Sequence, residues 1–421
     1  MREMKDSGIE WVGKIPHCWN TSKLKYLGQY INGYAFKPEE WGSKGVPIIR
    51  IQDLTGSNDN PNYFEGQIDK KYWVENGDIL ISWAATLDAF IWNKGKGWLN
   101  QHIFKAVPNR RIINYDFFFW MIKESMKNMN NDNKHGIFMQ HVTLSVFNNF
   151  TIPMPPLAEQ ERIAAFLDAE CTEIDAVLEK TRASIEEYKK LKQAVITQAV
   201  TKGIRGDRPM KDSGIEWIGD IPVEWTASKI KYCTEFAPSC NTSHLSEDSL
   251  VTFTPMECIK NGYFENREAH FSALSSSYTQ YQDGDIVFAK VTPCFENGNI
   301  AIMQGLSAGV GFGSSELFVI RPQSINTEFI FYYLQNDIFK QYACATMTGT
   351  GGLKRVSPTF VRNYSIFIPC NEEQLEIVRY LNEKCSGIEV LIAKKQQYLT
   401  EIENYKKSLI YEYVTGKKEV V

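Results

Sequence analysis

One segment of this chain occurs twice, at a spacing far longer than that of a repeat unit in a solenoid. Residues 4–26 recur at 210–232, where 16 of 23 positions are identical at a constant offset of 206. Solenoid repeats have periods of about 20–50 residues, so this offset indicates duplication of a whole domain. Two shorter matches extend it: Asn76–Leu80 resembles Asp283–Val287, and 114–120 resembles 326–332. The sequence predicts two related globular parts.

Each globular part is predicted to be a mixed α/β domain in which strands dominate. Apolar residues follow the turns at Asn76 and Asp283 and predict strand starts, while Asn114 and Asn326 are the expected N-caps of helices. The glycine-rich segments 309–313 and 349–352 are expected to be flexible turns. Further strands are predicted at Val46–Ile51, Trp98–Val107, Leu250–Thr254, Asn299–Met303 and Glu316–Arg321.

A long helix is predicted after each globular part, over Leu157–Lys202 and Asn371–Gly416. Neither segment contains proline, and Gly387 is the one glycine before the final residue. Each helix would be on the order of 68 Å long. Alternate steps of four and three residues give two ladders in the same phase, typical of a coiled-coil seam. The ladders consist of Leu167, Cys171, Ile174, Leu178, Thr181, Ile185, Tyr188, Lys192, Val195 and Ala199, and of Leu381, Cys385, Ile388, Ile392, Lys395, Leu399, Ile402, Lys406, Leu409 and Tyr413.

The connection between the first helix and the second globular part is short, so the two helices are expected to pack antiparallel, with a globular part at each end. Two independent surface helices are the alternative. The predicted domains are residues 1–150, a first helix within 151–204, residues 205–370, and a second helix within 371–421. The predicted fold class is α+β, with two strand-rich α/β domains separated by an antiparallel coiled coil.

Composition and motifs weigh against a membrane protein, a secreted protein and an enzyme. The chain has no run of 18 apolar residues and no apolar signal segment at its N-terminus, so a cytoplasmic location is expected. Its nine cysteines form no Cys-x-x-Cys pair, and its six histidines show no spacing typical of a metal site. Neither a phosphate-binding glycine loop nor a nucleophile–base arrangement is present. We expect no catalysis by this chain and no metal.

A polar loop precedes each long helix and is the main candidate for ligand contact. Gln140 and His141 align with Lys354 and Arg355 at an offset of 214, and Thr143 and Ser357 follow as expected helix caps. Arg and Lys suit guanine edges, whereas Gln suits adenine, so two loops with one frame and different donors are typical of two DNA readers. An ordinary solvated loop is the alternative. The candidate DNA-binding residues are Arg50, Gln52, Lys94, Lys96, Gln101, His102, Lys134, His135, Gln140, His141, Lys290, Thr292, Lys354 and Arg355.

Three tryptophans near the candidate residues could stack on bases, but their spacing favours a place in the core. They are Trp83, Trp92 and Trp98.

Several motifs together resemble the specificity (S) subunit of type I restriction-modification systems. Both halves open with Lys-Asp-Ser-Gly-Ile-Glu-Trp, and Ile152-Pro-Met-Pro-Pro-Leu-Ala-Glu-Gln-Glu-Arg-Ile163 opens the first long helix. The second half departs at 368–374, where one proline of the Pro-Pro pair remains. The resemblance covers essentially the whole chain.

The resemblance implies a non-catalytic DNA reader in which each globular part is a target recognition domain for one half of a bipartite site. The helices would set the gap between the half-sites and dock two modification (M) subunits, for which Glu159, Gln160, Arg162, Glu373 and Gln374 are the candidate contacts. The M subunits would bind S-adenosylmethionine and methylate adenines, and restriction (R) subunits would use ATP. No cofactor is expected in this chain.

The charge distribution keeps a second hypothesis open. The formal net charge is −4; residues 1–150 carry 18 basic and 15 acidic side chains, whereas 210–370 carry 11 and 16. An acidic second part also suits a two-fold scaffold that joins two identical proteins without reading DNA. A self-contained enzyme is a third possibility, for which no catalytic constellation was found.

Overall fold

The computed structural model describes residues 2–58, 60–132, 141–216, 218–274, 277–349 and 352–420. It divides into two compact units: the first comprises Met1–Thr181 with Gln397–Val421, and the second comprises Arg182–Gln396. Each unit therefore combines one globular part with segments of both long helices. The sequence-based division had placed the helices in segments of their own.

The first unit contains short strands followed by the start of a long helix. Its strands are β1 (Met4–Asp6), β2 (Lys14–Pro16), β3 (Asn20–Lys23), β4 (Gly28–Asn32), β5 (Val46–Ile49), β6 (Tyr63–Phe64), β7 (Trp73–Val74), β8 (Ile79–Ser82), β9 (Asp88–Ile91), β10 (Gly97–Leu99), β11 (Ile103–Pro108) and β12 (Thr151–Met154). Its helices are α1 (Ile51–Thr55), α2 (Tyr115–Asp132), α3 (Leu144–Asn149) and the beginning of α4 (Leu157–Lys202).

The second unit repeats the order of the strands. Its strands are β13 (Met210–Asp212), β14 (Asp220–Pro222), β15 (Thr226–Lys229), β16 (Thr234–Phe236), β17 (Leu250–Thr254), β18 (Glu268–His270), β19 (Thr279–Gln282), β20 (Ile286–Ala289), β21 (Ile300–Ile302), β22 (Val310–Gly313), β23 (Leu317–Pro322) and β24 (Ser365–Ile368). Its helices are α5 (Ile230–Cys233), α6 (Thr327–Gln335), α7 (Asp337–Ala345), α8 (Pro358–Asn363) and most of α9 (Asn371–Val414).

The sheets of the two units have the same strand order. In the first unit the larger sheets run β6-β5-β10-β7 and β4-β11-β8-β9; in the second they run β18-β17-β22-β19 and β16-β23-β20-β21. Parallel pairing occurs between β5 and β10 and again between β17 and β22. The duplication therefore extends well beyond the repeated segment, to the globular part as a whole.

Within each unit, the segments of α4 and α9 run antiparallel. In the first unit the rings of Phe166 and Tyr413 lie 4.4 Å apart, and Asp175 pairs with Lys406 at 2.6 Å. In the second unit Lys192 pairs with Glu389 at 2.5 Å, and Arg205 pairs with Glu376 at 2.8 Å. All positions of both predicted ladders are buried or half-buried, so the predicted seam is confirmed, and with it the fold class.

The helical segments complete the core of each unit. Ile163, Leu167 and Cys171 of α4 and Leu409 and Val414 of α9 belong to the main core of the first unit. The equivalent set in the second unit includes Ile196, Val200, Ile377, Leu381 and Cys385. Helices of this length depend on such packing rather than on propensity alone.

Glycines terminate both long helices. Gly203 follows the end of α4 with a φ of 74°, and Gly416 lies two residues beyond α9 with a φ of 71°. The Gly416 amide donates to the carbonyl of Tyr413 at 3.2 Å. A left-handed residue is a common helix terminator because it redirects the backbone while satisfying a free carbonyl.

Two local predictions were wrong. The strand predicted over Trp98–Val107 is two strands of different sheets, β10 and β11, because the chain turns at Asn100, where Ile103 donates to the Asn100 carbonyl at 3.1 Å. The turn predicted at 309–313 is mostly strand β22, which is buried between two neighbours and pairs with β17 and β19. Residues 350–351 of the other glycine-rich segment lie outside the described residues.

Among the described residues, we find no helix with the length and apolar character that a bilayer crossing requires.

Candidate nucleic-acid interface

Four predicted residues of the second unit lie together where β20 ends. Thr292 donates its amide to the Lys354 carbonyl at 3.0 Å, and the Val356 amide donates to the Lys290 carbonyl at 2.9 Å. The Thr292 hydroxyl also accepts from the Lys354 amide at 3.0 Å. The segment after β20 is thereby held antiparallel to the loop before α8, and Arg355 is the central residue of that loop.

The Arg355 side chain makes a two-pronged ion pair with Glu316, the residue before β23. Its Nε donates to Oε2 at 3.0 Å and its Nη2 donates to Oε1 at 2.7 Å. Half of the Arg355 side chain is exposed. The hydrogen bonds from Arg355 hold the pKa of the Glu316 carboxyl below its usual range.

Lys290 is half-buried beside this ion pair. Its Nζ lies 5.4 Å from the centre of the Phe318 ring, and burial lowers the pKa of the ammonium. Its amide donates to the Glu316 carbonyl at 3.1 Å. Lys354, in contrast, is exposed.

Three residues of the first unit occupy the same backbone positions. Strands β8 and β20 correspond residue by residue, as do β11 and β23, so Trp83 corresponds to Lys290 and His102 to Glu316. The Trp83 amide donates to the His102 carbonyl at 3.4 Å, and the Val142 amide donates to the Trp83 carbonyl at 2.9 Å. His141 bridges to Ala84 as Arg355 bridges to Val291, so His141 corresponds to Arg355.

The side chains in the first unit have a different chemistry. The Trp83 and His102 rings lie 5.4 Å apart at an angle of 56°, and both His102 and His141 are exposed. Gln101, next to His102, is half-buried. This unit therefore presents aromatic and imidazole groups where the second unit presents two cations and a carboxylate.

A separate polar group in the first unit surrounds helix α1. The Arg50 amide donates to the carboxylate of Asp53 at 2.7 Å, and Lys94 donates to the Asp53 carbonyl at 2.6 Å. The Arg50 guanidinium lies 4.9 Å from the centre of the Trp41 ring, and Gln52 is exposed. These residues border the sheet β6-β5-β10-β7, whereas the Trp83 group borders β4-β11-β8-β9. The predicted residues of this unit thus form two groups.

The remaining predicted DNA contacts are peripheral or lie outside the described residues. Lys96 is exposed and approaches Glu75 at 3.8 Å. Lys134, His135 and Gln140 fall in 133–140, outside the described residues.

Four of the five predicted partner contacts are buried inside their own unit. The Glu159 carboxylate accepts from the indole of Trp19 at 3.0 Å, and the side-chain oxygen Oε1 of Gln160 accepts from the Asn114 main-chain amide at 2.8 Å. Glu373 and Gln374 repeat this with Trp225 at 3.2 Å and with Asn326 at 2.8 Å.

Direct contact with a partner is therefore not expected for Glu159, Gln160, Glu373 and Gln374. Their side chains are buried and hydrogen-bonded within their own unit, so a partner could not reach them. Arg162 is exposed, and its role stays a prediction.

Comparison with known proteins agrees with the duplicated architecture. The family model for the type I restriction modification DNA specificity domain matches residues 16–187 and again 222–401. The chain belongs to this family. Both matches run from the opening of a half into the long helix that follows it, so each copy of the domain includes its share of the helices.

Relatives of this specificity-domain chain differ in how much of their length it covers. It is 25% identical over 420 residues to the type I restriction enzyme MjaVIII specificity subunit of Methanocaldococcus jannaschii, covering 97% of this chain and 94% of the relative. It is 29% identical over 202 residues to the EcoBI specificity subunit of Escherichia coli, covering 48% of this chain and 42% of that relative. The match thus spans less than half of the Escherichia coli protein.

A solved structure shares the fold of this family member. It comes from work on complex assembly and conformational transition of the type I restriction-modification system, and it aligns with a TM-score of 0.70 at 16% identity, covering 96% of this chain and 99% of the other.

Sequence reasoning missed one residue of the candidate interface in this specificity-domain protein, Glu316, which it places only at a strand start. Trp83 packs against the core of the first unit, as its spacing favours, and it also lies at the candidate interface beside His102. Trp83 follows β8 and Glu316 precedes β23, and strand register places each of them beside the loop before α3 or α8. The signal that could have found Glu316 is the residue offset between the two halves, which is 207 from β8 to β20 and 214 from β11 to β23.

Proposed function

We propose that this chain reads a bipartite DNA sequence for a type I restriction-modification complex, each unit recognising one half-site. The supporting observation is that one backbone frame, repeated in both units, carries Trp83, His102 and His141 in one and Lys290, Glu316 and Arg355 in the other. A shared frame with different hydrogen-bonding groups suits two different base sequences, because base edges are distinguished by donor and acceptor pattern.

The other parts of the proposal follow from the family. The chain itself catalyses no reaction, two modification subunits bind S-adenosylmethionine and methylate adenines, and restriction subunits hydrolyse ATP and cut. The paired helices dock the modification subunits and set the number of unread base pairs. The complex acts in the cytoplasm, where its DNA is found.

A domain exchange tests the proposal. Residues 27–150 are replaced by the equivalent segment of a relative with a different target, and modified adenines are mapped in cells that contain the complete complex. We expect one half of the methylated sequence to change and the other half to remain. Exchange of the equivalent segment of the second unit, 233–364, should change the opposite half. An unchanged methylation pattern in both chimaeras would contradict the proposal.

The acidic balance of 210–370, with 11 basic and 16 acidic side chains, favours the alternative of a two-fold scaffold that does not read DNA. Binding of the assembled complex to a matched and a scrambled duplex separates the two functions. A reader prefers the matched duplex, whereas a scaffold binds both equally.

A further inference from the structure

Main-chain hydrogen bonds fix the backbone positions of Lys290, Glu316 and Arg355 in the second unit, independently of their side chains. Equivalent main-chain bonds hold Trp83, His102 and His141 in the first unit. The Val142 amide donates to the Trp83 carbonyl at 2.9 Å, and the Val356 amide donates to the Lys290 carbonyl at the same distance. The backbone therefore presents three side chains at one place whatever their chemistry. Such a frame lets substitutions change what is recognised without disturbing the fold.

The ion pair between Glu316 and Arg355 leaves the guanidinium with donors to spare. The guanidinium carries five N–H donors in a planar fork, and Glu316 accepts from Nε and Nη2. Three donors, including both of Nη1, are directed away from that pairing. Two contacts to one carboxylate also fix the plane of the fork, so less conformational entropy remains to be lost when a second ligand binds.

The charge of Glu316 also selects the type of ligand. A carboxylate 2.7 Å from the guanidinium offsets its positive charge and repels a phosphate brought to the same place. A base edge carries no net charge and does not suffer this repulsion. Guanine offers two acceptors, O6 and N7, that match two donors of an arginine fork, and this is the commonest specific contact in the major groove.

We infer that Arg355 reads a guanine in the half-site of the second unit and that Glu316 is its positioning residue, an inference that rests on the proposed function. The first unit has no arginine, lysine or carboxylate at its three equivalent positions, so its half-site is read there by different chemistry. No ion pair joins the exposed Lys354 to a carboxylate in the part of the chain that the structure describes, so this lysine suits a phosphate.

Selection from a random DNA library tests this inference. The full chain, assembled with its modification subunits, selects bound duplexes, and the base frequency is read at each position. The variants are Glu316→Ala, Glu316→Gln and Arg355→Lys. Glu257→Gln is the matched control, because Glu257 is an exposed carboxylate of the same unit paired with Arg267 at 3.3 Å. Thermal unfolding of each variant checks that the fold is retained.

We expect the preference for guanine at one position of the second half-site to fall about 5- to 150-fold in Arg355→Lys and Glu316→Ala. Glu316→Gln should keep part of the preference because its amide oxygen still accepts from Arg355. The first half-site and the Glu257→Gln profile should not change.

The outcomes separate the inference from the proposed function. If the unaltered complex selects no sequence at all, the proposed function is wrong. If it selects a bipartite sequence that all three variants reproduce, Arg355 and Glu316 read nothing and the inference fails. An equal loss of affinity for every sequence, with the guanine preference intact, would make the ion pair purely structural and would also overturn it.

Discussion

The indole of Trp225 donates a hydrogen bond to the buried carboxylate of Glu373 at 3.2 Å, just as Trp19 does to Glu159 at 3.0 Å. Trp19 and Trp225 belong to the repeated opening segment, and the two glutamates lie in the first turns of α4 and α9. Each copy of the segment is therefore fastened to the long helix of its own unit. This bond explains why the tryptophan is retained in both copies.

Removing Glu373 should strongly destabilise the second unit. Its carboxylate accepts from Trp225 and also pairs with Arg208 at 2.5 Å. The side chains of Glu373 and Arg208 are each at most one-tenth exposed. Glu373→Ala leaves a buried guanidinium and indole without their acceptor, and we expect a loss of about 3–5 kcal/mol in the free energy of unfolding. Urea denaturation measures it. Glu376→Ala, which breaks the exposed pair with Arg205, is the control and should have little effect.

A methyl group at Gly311 should also be destabilising. The glycine lies in β22, and an added Cβ would come 2.0 Å from the ring of Tyr281, which is fully buried and donates to the Phe312 carbonyl at 3.1 Å. We expect Gly311→Ala to cost about 1–3 kcal/mol or more. Gly206→Ala, where nothing lies within 4 Å, is the matched control. Equal stability of the two variants by thermal unfolding would contradict this packing.

Gly387→Ala should act in the opposite direction. Gly387 lies inside α9, and an added Cβ meets nothing within 4 Å. Alanine restricts the unfolded chain more than glycine and favours a helix by about 0.5–1 kcal/mol. We expect a small rise in the free energy of unfolding, measured by urea denaturation with circular dichroism as the signal. A fall would contradict the open surroundings of this position.

Two seam cysteines should make stability depend on alkaline pH. Burial raises the pKa of Cys171 and of Cys385 from 9.0 to about 11. Below pH 9 the thiols are protonated in both the folded and unfolded states and their contribution is complete. This contribution to the free energy of unfolding is lost as pH rises from 9 through 11, because in that range the thiols ionise more readily in the unfolded state than in the folded state. The double variant Cys171→Ala with Cys385→Ala should show a shallower fall over this window. Identical slopes in parent and variant would contradict it.

Lys354→Ala should weaken DNA binding without changing its sequence preference. The exposed ammonium is expected to neutralise one phosphate, so the slope of log affinity against log salt should become shallower by about 0.9. Titration of a matched duplex at several salt concentrations measures it. Lys394→Ala, an exposed lysine on α9, is the control. A changed base preference in Lys354→Ala would instead place this lysine on a base edge.

The features predictable from sequence were those with a local or periodic signal. The ladders from Leu167 and Leu381 follow from apolar spacing, and Asn114 and Asn326 cap their helices as expected, each accepting from the amide three residues later. The burial of Glu159 and Glu373 was not predictable, because a carboxylate in the first turn of a helix ordinarily faces solvent. What buries them is a tryptophan about 140 residues away in sequence.

The sequence by itself determined that the chain is duplicated, that each half ends in a long apolar-striped helix, and that polar loops precede those helices, because repetition and periodicity are written in residue order. The tertiary structure decided which side chains meet. Arg355 and Glu316 are 39 residues apart, and strand register brings them together. Which strands pair, and in which register, depends on the burial of their faces and on the turns that connect them. A single segment of the sequence therefore does not determine the pairing.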